Sequence, residues 1–222
     1  MNRFVSALVC WMVAATGFAG QAVAQNQSAT FEVTLDITWG PETAPYEFPE
    51  NGGHLTKVIG ATHHSRFTMF RDGDTASSGM ELIAENGRAG TMNAEFAEGQ
   101  RRRRVGTVFE GPRLDHVPGT ISFTVTTTDR HTLLSFATML APSPDWFTGL
   151  ADVPLRDDAG WIADQSHALW AWDSGTDSAQ TYIADNDDTQ PQQSVRLLAT
   201  PHFLTQGGLV PMGTARIKQV AP

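Results

Sequence analysis

Two carboxylates in the C-terminal part of the chain have a spacing that could bind one cation. Asp173 and Asp177 lie four residues apart, with Ser, Gly and Thr between them. On a helix these side chains would share a face and repel each other, but Gly175 favours a tight loop. Such a loop could direct both carboxylates at a hard cation such as Ca²⁺, which takes oxygen ligands. A solvated turn built from ordinary turn residues is the open alternative.

The sequence patterns of common catalytic and nucleotide-binding sites are missing from the chain. It has no G-x-S-x-G elbow, no H-E-x-x-H pair and no P-loop. The segment after Asp173 is not an EF-hand, because Ala184 occupies loop position twelve, where that motif needs glutamate. We therefore predict that the protein is not an enzyme. A glycoside hydrolase that uses aspartates as acid and base is the alternative from the enzyme class.

Composition sets the broad class. The chain has 222 residues, 41% of them hydrophobic and 18% charged, which is typical of a folded globular protein. Its formal charge is −9. An acidic balance argues against nucleic acid as the main partner, since neutralising phosphates requires surplus lysine and arginine.

The first 24 residues have the layout of a secretory signal peptide. A positive charge at Arg3 precedes an uncharged apolar run from Phe4 to Ala19, and Ala22 and Ala24 form an A-x-A cleavage signal. The predicted product is residues 25–222, secreted or periplasmic, with no stretch apolar and long enough to span a bilayer. Cleavage removes Cys10, the only cysteine. Disulfides, thiol nucleophiles and cysteine-based zinc sites are then excluded.

Short alternating segments predict a β-rich domain. Phe31–Trp39 alternates apolar and polar residues, as a strand with one buried face does. The other predicted strands are Arg66–Phe70, Val105–Phe109, Thr120–Thr127, Thr132–Met139, Thr181–Ile183, Val195–Ala199 and Ala215–Val220. Gly79–Glu85 and Thr91–Phe96 predict one or two short helices. The fold class is therefore all-β, an antiparallel β-sandwich.

An ordered set of motifs resembles the spondin N-terminal domain, which occurs in the matrix proteins F-spondin and mindin and in bacterial exported proteins. Ile59–His63 reads I-G-A-T-H, and Met139–Gly149 contains P-S-P-D-W. Gly160–Trp161 and Trp172–Ser178 follow in the same order. The resemblance covers most of the chain after the leader.

The resemblance implies a fold and a cation site. The fold would be a sandwich like the C2 domains, with a calcium ion at one end. The family's metal-binding aspartates fall on Asp145, Asp173 and Asp177. Main-chain carbonyls and water would supply the remaining oxygen ligands. The implied function is that of a non-enzymatic extracellular or periplasmic module for binding or adhesion, with a protein or a glycan as its ligand. No motif in the sequence identifies that ligand or the oligomeric state.

One basic run stands out in this acidic chain. Arg101, Arg102, Arg103 and Arg104 could bind an anionic surface such as lipopolysaccharide, an acidic polysaccharide or lipid headgroups, at about 1 kcal/mol for each side chain. Calcium-dependent association with an envelope, membrane or polysaccharide is therefore the second functional candidate. A solvated loop before the Val105 strand is the alternative.

The adjacent histidines His63 and His64 would point to opposite faces of a strand and could not bind one ion together. We predict that His63 is a packing or hydrogen-bonding residue.

Overall fold

The computed structural model describes residues 28–221, and the predicted signal peptide at residues 1–24 lies outside them. Within this range two helices are present, α1 (Ser78–Asn86) and α2 (Gly90–Arg101). The strands are β1 (Ser28–Ile37), β2 (His54–Leu55), β3 (Ile59–His63), β4 (Val105–Glu110), β5 (Gly119–Thr128), β6 (Leu133–Ala141), β7 (Trp146–Pro154), β8 (Arg156–Asp157), β9 (Gly160–Trp161), β10 (Asp164–Asp173), β11 (Arg196–Leu197), β12 (Leu204–Thr205), β13 (Gly208–Leu209) and β14 (Gly213–Ala221).

The long strands form one nearly closed antiparallel sheet in the order β4-β3-β6-β7-β10-β14-β1-β5. Strand β10 turns from one layer to the other: Asp164–Leu169 pairs with β14, and Trp170–Asp173 pairs with β7. The predicted all-β antiparallel sandwich is therefore confirmed. No helix among residues 28–221 is long and apolar enough to cross a membrane.

The main core lies between the two layers. Strand β1 contributes its alternate side chains, which are 0–1% exposed: Ala29, Phe31, Val33, Leu35 and Ile37. Leu134, Phe136 and Leu140 of β6 belong to the same cluster. Alternation places one face of each strand inside, as the period-2 pattern of the sequence predicted.

A second core lies beneath the helices. Met80 and Ile83 of α1 are fully buried in the same cluster as Phe147 of β7. Helix α1 begins where Ser77 Oγ accepts a hydrogen bond from the Met80 N–H at 3.2 Å, a side-chain cap that satisfies one free helical donor. It ends at Gly87, whose φ of 63° is the left-handed cap conformation. The first predicted helix is confirmed, and α2 is longer than the predicted Thr91–Phe96.

Two predicted strands are wrong, and three strands in the order of the main sheet, β3, β7 and β10, were not predicted. Arg66–Phe70 is not a strand, because the chain turns there and the Phe67 N–H donates to the His64 carbonyl at 3.0 Å. Thr181–Ile183 is also a turn. The missed strand β7 is buried on both faces over its first half, so it lacks the alternation that identifies a strand in sequence. Strand β10 was also not predicted, although its burial alternates.

Candidate metal site

The pairing of β7 with β10 brings two of the three predicted aspartates together. Asp145 directly precedes β7 and Asp173 ends β10, where Asp173 pairs with Trp146. Asp177 lies four residues further along the same loop and forms an isolated bridge with Asp188. The structure thus places all three aspartates in one loop cluster at one end of the sandwich.

Asp145 is the most buried of the three, with no exposed surface. Its Oδ2 accepts hydrogen bonds from the Thr176 N–H at 2.9 Å, the Ser174 hydroxyl at 3.1 Å and the Asp177 N–H at 3.2 Å. Its Oδ1 is buried and has no hydrogen-bond partner among the described residues. A buried carboxylate oxygen without a donor carries a large desolvation cost unless something else binds it.

Asp173 and Asp177 are also buried, each 6% exposed. Asp173 Oδ1 accepts from the Gly175 N–H at 2.8 Å, and its Oδ2 accepts from the Arg196 guanidinium at 2.8 Å. Asp177 Oδ1 accepts from the Ala179 N–H at 2.8 Å, and its Oδ2 accepts from the Asp187 N–H at 3.1 Å. All four oxygens have a donor, and each keeps a second lone pair.

Charge in the cluster is poorly balanced. Arg196 is the one basic side chain in the described part of the chain that pairs with any of the three aspartates. Burial, and then the negative charge of Asp173, raises the pKa of the Asp145 carboxyl, whereas the hydrogen bonds from the Thr176 and Asp177 N–H groups and from the Ser174 hydroxyl oppose that rise. Buried Asp side chains are rare unless they are paired or coordinate a metal. The cluster thus holds three buried carboxylates with a single basic partner among residues 28–221.

The residues fit a hard cation in chemistry but are not arranged as a finished cage. In the stretch from residue 28 to residue 221, no group of three or more His, Cys, Asp or Glu side chains is arranged to hold a metal ion. Asp145 Oδ1 offers an unused ligand, and free lone pairs remain on Asp173 and Asp177. A Ca²⁺ ion at this place would require adjustment of the side chains and additional carbonyl or water oxygens.

Gly175 shapes the loop that carries Asp173 and Asp177. Its φ of 74° is left-handed, and a Cβ atom placed on it would lie 2.5 Å from the Gln193 carbonyl oxygen. The Gln193 N–H donates to the Gly175 carbonyl at 2.8 Å, which holds the two segments together. The tight loop predicted from Gly175 is confirmed, and it depends on the absence of a side chain.

Sequence reasoning missed two charged residues that belong to this cluster. Arg196 comes from β11 and reaches Asp173, and Glu85 comes from the last turn of α1. Burial raises the pKa of Glu85, and the charges of Glu81, Asp188 and Asp145 add to the rise. Neither residue has a local sequence signal, because long-range packing alone brings it to the loops.

The arginine run lies at the other end of the molecule and is not a simple loop. Arg101 is the last residue of α2 and Arg102 is its C-cap. Both guanidinium groups pair with Glu98. Arg103 and Arg104 are exposed residues of the connection to β4. The interpretation of the run as a solvated loop is correct only for this second half.

His63 is fully buried and hydrogen-bonded, as predicted. Its Nδ1 lies 3.1 Å from the His64 carbonyl and donates to it, so Nε2 accepts from the Ser135 hydroxyl at 2.7 Å. Asp152 Oδ1 is 3.7 Å from the same Nε2. A catalytic triad requires the carboxylate on the opposite nitrogen and an accessible hydroxyl. This Ser-His-Asp group is therefore structural.

Acidification should destabilise the protein through His63. Burial lowers the pKa of His63, although the His64 carbonyl and the Asp152 charge oppose this, and His131 and His64 lower it further. The unfolded chain then binds a proton near pH 6.5 that the folded chain resists, so stability falls as pH drops below about 6.5. We expect His63→Gln to flatten the dependence of the unfolding free energy on pH. The exposed His116→Gln serves as control, and equal slopes in the two variants would contradict the assignment.

The fold and the site together define the class: an antiparallel β-sandwich protein with a cluster of buried carboxylates at one end. A family model described as Spondin_N matches residues 29–204. The chain belongs to the spondin N-terminal domain family, whose members are extracellular. The resemblance inferred from the motifs is confirmed.

Individual relatives agree with the family match. Spondin-1 of Gallus gallus is 33% identical over 199 residues, which is 82% of this chain and 24% of that protein. Spondin-2 of Homo sapiens is 30% identical over 198 residues, which is 85% of this chain and 60% of that protein. The chain thus spans about a quarter of spondin-1 and somewhat over half of spondin-2.

Proposed function

We propose that this protein is an exported, calcium-stabilised binding or adhesion module without enzymatic activity, located in the periplasm or outside the cell. Membership of an extracellular family supports the location. The observation that carries the calcium proposal is the buried Oδ1 of Asp145, which has no partner in the described chain although two more buried aspartates lie in the same loop cluster. A partner protein or glycan would then bind the loops that the cation orders.

The ligands of the ion would be Asp145, Asp173 and Asp177, completed by main-chain carbonyls and water. Bound Ca²⁺ would neutralise crowded carboxylates and tie the loop before β7 to the loop after β10. Extracellular calcium modules commonly bind with dissociation constants of about 10⁻⁴–10⁻³ M. At that affinity the ion stabilises the fold by mass action when millimolar calcium is present.

Direct measurement of bound metal tests the proposal. Equilibrium dialysis against Ca²⁺ should give one ion for each chain, with Mg²⁺ competing weakly because it demands a more rigid octahedral shell. The matched pair is Asp173→Asn and Asp158→Asn, since Asp158 is exposed. Asp173→Asn should lose binding and Asp158→Asn should retain it. A wild-type protein that binds no calcium at about 10 mM, well above the expected dissociation constant, would refute the site.

Arg196 is expected to compete with the cation for Asp173. Its guanidinium is half-exposed, so the pair contributes about 0.5–1 kcal/mol at most. Arg196→Ala should lower the melting temperature slightly in chelator but enlarge the upward shift caused by calcium, because a positive charge no longer repels the ion. Arg216→Ala, which breaks an exposed pair with Asp164, is the control. A calcium response unchanged in Arg196→Ala would contradict this role.

The absence of enzymatic activity is tested separately. Purified protein assayed against a panel of glycans and esters should show no turnover. Hydrolysis that disappears in Asp145→Asn while the fold is retained would instead assign the aspartates to catalysis.

A further inference from the structure

An arginine-rich surface at the opposite end of the sandwich is assembled from three separate loops. They are residues 64–67, residues 101–104, which run from the last residue of α2 and its C-cap into the connection to β4, and residues 128–131, which follow from the end of β5. The His64 N–H donates to the Arg104 carbonyl at 2.8 Å, and His131 Nε2 lies 3.4 Å from the Arg103 carbonyl. These contacts join the loops directly, so their side chains share one surface, which we call the three-loop surface.

Six exposed arginines project from the three-loop surface: Arg66, Arg101, Arg102, Arg103, Arg104 and Arg130. Arg101 and Arg102 share the carboxylate of Glu98. The other four have no acidic partner within salt-bridge distance anywhere in residues 28–221, judged by the ion pairs that the structure contains. Unpaired guanidinium groups keep their forked donors available for an external anion.

The local charge is opposite in sign to that of the whole protein. Against six arginines the surface carries three acidic side chains, Glu95, Glu98 and Asp129, which leaves an excess of three positive charges. The whole chain carries −9. A compact positive patch on an acidic protein attracts an anionic ligand locally while the remaining surface repels it.

We propose that the three-loop surface binds a sulfated polysaccharide chain and does so independently of calcium. Beside the arginines lies a groove of about 460 Å³, whose lining includes Phe67, Ala94 and Gly99 together with Arg101, Arg102 and Arg104 and the acidic Glu95 and Glu98. The groove sets Phe67, Ala94 and Gly99 beside three guanidinium groups, and Glu98 neutralises part of their charge. Apolar surface next to guanidinium groups suits a chain of sugar rings bearing anionic substituents. Arginine binds planar or tetrahedral oxyanions through paired N–H donors.

Other polyanions fit this surface less well. An anionic membrane is usually engaged by basic residues together with exposed large apolar side chains. The exposed large hydrophobic residues of the described chain are Tyr46, Ile183, Leu204 and Val220, all outside the three loops. Duplex DNA, with one charge for about every 1.7 Å, would extend across the acidic remainder of the protein.

The calcium independence follows from the position of the surface. Strand β6 runs from Leu133, beside the three loops, to Met139, which pairs with Phe147 near Asp145. Six residue steps at about 3.3 Å separate these two positions by about 20 Å. A cation at the aspartates would lie beyond the screening length of about 8–10 Å at physiological salt.

Binding of a fluorescent heparin decasaccharide to the purified 25–222 protein, at low and physiological salt and with Ca²⁺ or chelator, tests the proposal. We expect salt-sensitive binding that calcium does not change. Both double variants, Arg103→Gln/Arg104→Gln and Arg66→Gln/Arg130→Gln, should weaken it roughly tenfold or more, since each basic side chain near an anionic surface contributes about 1 kcal/mol. The control, Arg88→Gln/Arg113→Gln, removes the same charge at the other end of the sheet and should leave affinity within about twofold.

Several results would overturn the inference. An equal loss of heparin affinity in the control variant would mean that only the net charge of the protein matters. Unchanged heparin affinity in Arg66→Gln/Arg130→Gln would exclude a binding surface shared by the three loops. Equal affinity for phosphatidylglycerol vesicles or for a 20-mer DNA duplex would reject the polysaccharide, and so would absence of binding at low salt. Because calcium site variants leave this end intact, Asp173→Asn should still bind heparin, so failure of the calcium proposal and failure of this one are distinguishable.

Discussion

Asp145→Asn is expected to abolish the calcium-dependent part of the stability. For a dissociation constant of about 10⁻⁴–10⁻³ M, addition of about 10 mM Ca²⁺ stabilises the wild type by about 1.4–2.7 kcal/mol. In a domain of this size that corresponds to a rise in melting temperature of roughly 3–10 °C. The variant should show no rise, because an amide nitrogen would replace the unpartnered Oδ1 and repel the ion. Thermal unfolding followed by circular dichroism measures both values.

The same substitution should not lower stability in chelator. The oxygen of the new amide can keep the hydrogen bonds from Thr176, Asp177 and Ser174, while the buried negative charge beside Asp173 is removed. The effect of Asp145→Asn on stability therefore depends on calcium. Relative to the wild type, the variant should be equally or more stable without the ion and less stable with it. Asp158→Asn, exposed and remote from the loops, should behave as wild type in both conditions. A loss of stability in Asp145→Asn that is equal with and without calcium would mean that Asp145 is a structural acceptor only.

Gly175→Ala should destabilise the protein far more than an alanine at another left-handed glycine. The left-handed conformation costs an alanine about 1–2 kcal/mol, and the new methyl group would also meet the Gln193 main chain at 2.5 Å. Overpacking of this kind adds about 1–3 kcal/mol, so a total of roughly 2–5 kcal/mol is expected. The displaced loop should also lose its calcium response. Chemical denaturation measures the free energy of unfolding of the variant. The same measurement at increasing calcium concentrations tests the calcium response.

Gly73 provides the matched control for this prediction. Its φ is 85°, and no atom lies within 4 Å of the position that a Cβ atom would take there. Gly73→Ala should therefore cost only the conformational term, about 1–2 kcal/mol. If the two variants are equally destabilised, the close approach of Gly175 to Gln193 is not what constrains the loop.

The fold class and both helices could be predicted because their signals are local. Strand β1 alternates along its whole length, and Ser77 and Gly87 mark the ends of α1 by capping chemistry. Strand β7 could not be recognised in this way. Its first half is buried on both sides, between one layer of strands and the helical layer, so every position there is apolar, small or hydrogen-bonded.

The three aspartates of the candidate site could be picked out from the sequence, but the charged residues that surround them could not. Asp173 and Asp177 have a local spacing, and the motif around Asp145 indicated the third carboxylate of the cluster. The partners of these residues come from distant segments: Arg196 from β11 and Glu85 from α1. The three-loop surface illustrates the same limit, because Arg66 and Arg130 join the arginine run only through the pairing of β3 with β4 and β6.

Strand β14 sets the order in which this protein can fold. It is the only link between β10 and β1 in the strand order of the described sheet, and it is the last strand among residues 28–221. Strand β1 can pair with β5 at residues 119–128, but its second partner follows about 180 residues after it, and such long-range pairing slows folding. Until residues 213–221 leave the ribosome, two half-sheets remain with open edges that could pair with other chains. Truncation before β14 should therefore yield an aggregation-prone product.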